Sequence, residues 1–146
     1  MLPEFNAEGL LPPGIHPATW AEVEAKLGFT PKRQTLLRGL KRAISALHSA
    51  GCGRVPRRSF VTSKPTPGDF DACWEEAGVD AARLDPVLLD FKDKRLRQKV
   101  KYGGEMFPAS SVADRRGTNF VSFFQVHKGS GSPKGIVSID LEKWQP

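Results

Sequence analysis

The sequence predicts an α+β domain, a mixed α/β arrangement, on three observations. Two capped, periodic helix signatures fill residues 19–51, and after Gly51 the apolar pattern shortens into strand-length runs divided by proline and glycine. The chain then closes on the strand-like run Ile136-Val137-Ser138-Ile139-Asp140-Leu141. Its 146 residues, 39% hydrophobic and 26% charged, suit one domain over 1–146 with an ordinary core. Residues 1–16 read as an irregular lead-in, because Leu11-Pro12-Pro13-Gly14 lacks amide donors and cannot be a helix interior.

The first helix opens with Thr19-Trp20-Ala21-Glu22, a capping box in which the threonine and the glutamate each satisfy a free amide. Trp20, Val23 and Leu27 share a face and Gly28 ends the run, so Trp20 reads as a core anchor. In the second helix Thr30 caps, Pro31 takes the first helical position and Gly51 terminates. Leu36, Leu37, Leu40, Ile44 and Leu47 form its apolar stripe, with Arg38, Lys41, Arg42, Ser45 and His48 mostly off it. Arg54-Val55-Pro56 opens a strand that proline suits to an edge or an end. Phe70–Trp74 is a further strand after the turn Pro67-Gly68, and Val87–Phe91 reads as a buried strand. Asp93 is placed to cap a short basic helix reaching Lys101, which Gly103-Gly104 ends. Residues 108–117 read as a mobile loop, Phe120, Phe123 and Phe124 fit either a helix or a strand, and Lys128–Gly135 is a glycine- and serine-rich connection.

Charge is distributed in blocks. The net charge is +6, and between Glu24 and Asp69 ten basic residues occur without one acid. From Asp69 to Asp90 seven acids face Arg83 alone, and from Lys92 to Lys101 six basic residues face Asp93. Such a pattern fits either a metal-binding centre flanked by grips for a polyanion or alternating solvated faces. No apolar run approaches the ~20 residues of a membrane helix. Met1–Glu8 is acidic and proline-broken and does not read as a secretory signal. Cys52 and Cys73 lack metal or redox spacing and are expected to be free thiols in a reducing, cytoplasmic setting.

Three carboxylates are the candidates for chemistry. Asp69 and Asp71, two apart at a strand start, point to one side, and Asp90 near the end of the next expected strand would join them if the strands are neighbours. Clustered carboxylates repel unless a cation sits among them, and hard oxygen donors suit magnesium. Lys99, Lys101 and Tyr102 are candidates to grip phosphate or stack a base, and Glu105 is a further polar candidate. His16 is expected to order the lead-in, His48 to lie at the surface, Cys73 to be an inert buried residue, and Trp74 and Trp144 to pack.

The segment Arg58-Ser59-Phe60-Val61-Thr62, ten residues before Asp69-Phe70-Asp71, resembles the signature of the minimal nucleotidyltransferases of the polymerase-β class. The strings Leu11–Pro17, Gly68–Trp74, Lys101–Glu105 and Pro133–Val137, taken as a set, resemble an uncharacterised bacterial and phage family of nucleotidyltransferase-like proteins. The resemblance implies a nucleotidyltransferase-like fold, a nucleoside triphosphate, and Mg2+ or Mn2+ on Asp69, Asp71 and Asp90, with Ser59 facing the phosphates. It further implies transfer of a nucleotidyl group to RNA or a protein, in a toxin–antitoxin or phage-defence pair with a cognate partner. The chain departs from the pattern at Arg58, where glycine would let backbone amides approach the triphosphate. Arg58 is either itself a phosphate ligand or an obstruction. The second case makes the chain a catalytically degenerate fold that binds nucleic acid or a partner protein.

Overall fold

The computed structural model describes residues 2–52, 54–57, 68, 70–126 and 131–144, with 54–57 described by their backbone. Five strands form one mixed sheet: β1 (Gly14–Ala18), β2 (Arg54–Arg57), β3 (Phe70–Trp74), β4 (Gly104–Pro108) and β5 (Gly135–Asp140). Their spatial order is β1-β5-β2-β3-β4. β1 runs parallel to β5, β2 is antiparallel to both neighbours, and β3 runs parallel to β4. The helices are α1 (Trp20–Leu27), α2 (Pro31–Ser49), α3 (Lys92–Tyr102) and α4 (Phe120–Phe124). The molecule is thus of the α+β class expected.

Both expected capping devices are present. Thr19 and Glu22 exchange hydrogen bonds at the start of α1, and the Thr30 hydroxyl accepts from the Arg33 amide at the start of α2. The α2 stripe of Leu36, Leu37, Leu40, Ile44 and Leu47 joins Trp20, Val23 and Leu27 of α1 in the main core. That core lies on the sheet face carrying Phe70, Ala72, Trp74, Met106, Val137 and Ile139. On the opposite face Phe120 and Phe124 of α4 cover Cys73 and Ile136, with Phe107 packed against them. Trp144 packs edge-on against Trp20 at 5.4 Å, so both pack as expected. His16 donates from Nε2 to the Pro12 carbonyl at 2.6 Å, ordering the lead-in, and His48 is exposed.

Four local expectations are corrected. The lead-in is not irregular throughout, because Gly14–Ala18 pairs with β5 as an edge strand, where Pro17 can be tolerated. Pro56 lies in an interior strand rather than at an edge, one residue from the end of Arg54–Arg57, and among the described residues the ladder to β3 is the pair Arg57↔Ala72. The run after Asp85 is not a strand but a 3-10 helix, Pro86–Leu89, whose first amide at Val87 is capped by the Asp85 carboxylate. Asp93 does not cap α3. Asp93, Lys94 and Arg95 instead form a left-handed turn (φ 51, 55 and 63), a geometry costing roughly 1–2 kcal/mol per residue. The loop at 108–117 is cross-tied, with Asp114 accepting from the Arg116 and Thr118 amides and Val112 bridging to Asn119. Phe120–Phe124 is helical, capped by Asn119.

Candidate functional site

β3 and β4 place two carboxylates side by side. Their register pairs Asp71 with Glu105, and register partners on adjacent strands project to the same face about 4.8 Å apart. This face is the one opposite the main core, beyond the part that α4 covers.

Glu105 is clasped by α3. Lys99 Nζ lies 3.0 Å and Arg95 Nη2 3.2 Å from its Oε1. Burial pushes the Glu105 carboxyl up, but the Lys99 hydrogen bond and the charges of Arg95 and Lys99 outweigh it and hold the group below the ordinary 4.5. Arg95 also lies over the Phe107 ring at 5.3 Å, and Phe107 stacks on Phe120 at 4.2 Å.

Asp90 is not on a strand beside Asp71. It follows the 3-10 helix, where its carboxylate accepts from the Lys92 amide at 3.1 Å and pairs with Arg97 at 3.4 Å. The residue on the strand next to Asp71 is Glu105. Asp85–Pro86 could have revealed this, since an N-cap residue followed by proline is a helix-start signal. Asp69, Ser59 and Arg58 lie outside the described residues. Among the described residues no group of three or more His, Cys, Asp or Glu is placed to hold a metal ion. Asp71 and Glu105 are two hard oxygen donors of the kind magnesium takes.

Tyr102 does not present its ring for stacking. It is buried, and its hydroxyl donates to Asp85, which also accepts from Lys101 Nζ at 2.5 Å. Burial pushes the Asp85 carboxyl up, yet the hydrogen bonds from Lys101 and Tyr102 leave it below 3.8. Lys99 and Lys101 do reach a ligand-sized space. A cleft of about 430 Å³ opens between α2 and the end of α3, and Lys32, Arg38, Arg42, Lys99 and Lys101 line it with no carboxylate among the described residues. Gly68 lines it too, two residues before β3 begins. The cleft and the Asp71–Glu105 face therefore meet at Lys99, which lines the one and pairs with the other.

The cleft depends on a close helix crossing. Arg42 Nη2 donates to the Lys101 carbonyl at 2.8 Å, satisfying the C-terminal end of α3. At Gly39 a Cβ would stand 1.7 Å from the Tyr102 carbonyl oxygen, so only glycine admits this approach.

Residues 3–140 match the model of a family of unknown function, DUF6932. The chain belongs to the DUF6932 family. No curated protein and no solved structure shows significant similarity to it. No helix among the described residues is long and apolar enough to cross a membrane.

Proposed function

We propose that this DUF6932 protein is nucleotidyltransferase-like and moves a nucleotidyl group from a nucleoside triphosphate to an RNA or protein hydroxyl. The carrying observation is the junction of the in-register Asp71–Glu105 pair with a cleft whose described lining carries five cations and no carboxylate. Anionic substrate and hard cation are the two things such a junction accommodates. Asp69 and Asp71 would hold Mg2+ or Mn2+, which when bound offsets charge on the phosphates and on departing pyrophosphate. The third carboxylate of the site is Glu105 rather than Asp90, since Glu105 is on the adjacent strand. Lys99 serves both halves, holding Glu105 while facing the cleft. In the reaction the acceptor oxygen bonds to the α-phosphorus and the bond to the bridging oxygen breaks. Pyrophosphate leaves, and the hydroxyl proton passes to a carboxylate of the site. By that resemblance the reaction would serve a toxin–antitoxin or phage-defence pair, and the buried thiols of Cys52 and Cys73 suit the cytoplasm.

A second reading rests on the clasp. Glu105 is already neutralised by Lys99 and Arg95, and Arg58 stands where the transferase pattern wants glycine. On this reading the fold binds nucleic acid or a partner protein without catalysis. The deciding assay follows label from each of the four triphosphates, with magnesium, onto total RNA and onto a co-expressed partner. The transferase reading expects weak transfer by the unmodified chain, a rise with Arg58→Gly and loss with Asp71→Asn. Magnesium should also raise the melting temperature of the unmodified chain and not that of Asp71→Asn. No transfer by the unmodified chain or by the Arg58→Gly variant, with no magnesium-dependent shift, establishes the second reading.

A further inference from the structure

We infer that the α2–α3 cleft is a seat for the sugar-phosphate backbone of a single-stranded RNA, held without reading its bases. Its role as the acceptor's seat rests on the transfer reading above; the binding does not.

The cations of α2 are spaced along one rail. Lys32, Arg38 and Arg42 line the same cleft, and at 1.5 Å per residue the rail from Lys32 to Arg42 is about 15 Å long. That exceeds the reach of three linked phosphates and suits successive phosphates of a polymer. Lys99 and Lys101 face this rail from α3. Three of the five cations have no carboxylate partner among the described residues: Arg38 bonds the Thr35 hydroxyl, Arg42 the Lys101 carbonyl, and Lys32 donates no described side-chain bond. Lys99 and Lys101 are held by Glu105 and Asp85. The sequence around the rail has no acid from 25 to 68, so no nearby carboxylate of that segment competes for the ligand.

The aromatic content of the cleft decides the mode of recognition. Sequence-tolerant grip on single strands ordinarily combines a basic groove with exposed rings on which bases stack. Among the described residues of the wall the one ring is Tyr102, which is buried with its hydroxyl committed to Asp85. With no exposed ring among the described lining residues, we assign the affinity to phosphate neutralisation and counterion release. A cleft of about 430 Å³ has room for one strand and not for a duplex.

The test is fluorescence anisotropy with a labelled 20-nucleotide oligouridylate and the full chain, in EDTA and without triphosphate, from 50 to 200 mM KCl. With Lys32, Arg38 and Arg42 each neutralising one phosphate, log affinity should fall against log salt with a slope of about −2, which is roughly a fifteen-fold loss across that range. Lys32→Gln together with Arg38→Gln, both on the exposed side of α2, should cut the slope to about −0.7 and the loss to less than threefold. Lys143→Gln, away from the cleft, should change neither. An oligoadenylate of equal length should bind equally well. Because binding is read without triphosphate or magnesium, a failure of transfer by the unmodified chain and by Arg58→Gly with RNA binding intact counts against the catalytic reading alone. Absence of binding at 50 mM KCl, or a slope that the double variant leaves unchanged, overturns the inference. So does equal binding of polyglutamate, which marks an acidic-protein surface, or displacement of RNA by tripolyphosphate at matched phosphate concentration, which marks a free-polyphosphate site.

Discussion

Gly39→Ala tests the helix crossing that forms the cleft. The added Cβ would fall 1.7 Å from the Tyr102 carbonyl oxygen, where real contacts are not shorter than 3.0 Å. The obstacle is backbone on both sides, so no side-chain rotation relieves it, and α3 must retreat by about 1.3 Å. Alanine gains about 1 kcal/mol of helix propensity over glycine in α2. Against this stand an overpacking cost of about 1–3 kcal/mol and the strained Arg42–Lys101 bond, a charged hydrogen bond worth about 1.5–3 kcal/mol. The balance is a loss of about 1.5–5 kcal/mol, or a fall in melting temperature of about 5–16 °C for a chain of this size. Thermal unfolding followed by circular dichroism reads the shift, with Thr35→Ala on the same helix as the control for substitution alone. A melting temperature equal to or above that of the unmodified protein would refute the close approach, and with it the cleft.

Three further outcomes are expected. Glu105 and Asp85 both titrate below their ordinary 4.5 and 3.8, so the stability they add is complete above those values and is lost as pH falls through the folded-state ones. Urea unfolding should therefore show stability declining below about pH 4.5, and Glu105→Gln with Asp85→Asn should flatten that decline; an unchanged acid limb counts against the ion pairs. Burial, aided by the charges of Glu76 and Glu75, pushes the Cys73 thiol up to about 12, and Cys52 is likewise buried. Neither should react with a thiol reagent at pH 8 until urea is added, and fast labelling of the native chain would contradict that burial. Gln98→Leu removes the acceptor of the buried Met106 amide, bonded at 2.7 Å, and should cost about 1–3 kcal/mol in urea unfolding. A change under about 0.5 kcal/mol would show that bond to be dispensable.

What the sequence discloses follows the range of the forces involved. The caps at Thr19 and Thr30 and the stripe of α2 act within a few residues, and they are readable directly. The run Val87–Phe91 misleads because a short apolar stretch fits a strand or a 3-10 turn equally well, and periodicity cannot separate them. The Asp85-Pro86 pair carries the missing information. Glu105 is visible in the sequence only as one polar residue after two glycines. Its place beside Asp71 is a matter of which strands are neighbours, and parallel pairing across more than thirty residues leaves no local trace. The same holds for the cleft: its basic residues stand out in the sequence, but the meeting of α2 with α3 depends on Gly39, whose lack of a side chain is meaningful only once Tyr102 is placed against it.

The Gln98 carboxamide has a consequence for how copies of this chain meet one another. β4 is the last strand on its side of the sheet, and its outward Met106 amide is a docking point for any passing extended chain. Gln98 occupies that amide with its oxygen, while its nitrogen donates to the Leu88 and Asp90 carbonyls at 3.4 and 3.3 Å. One buried side chain thus stands in for a sixth strand. At the other margin β1 carries Pro17, which has no amide proton to offer. Among the described residues each border of the sheet thus has one donor fewer to offer, which disfavours edge-to-edge pairing of copies in a protein whose mixed sheet must assemble from distant segments.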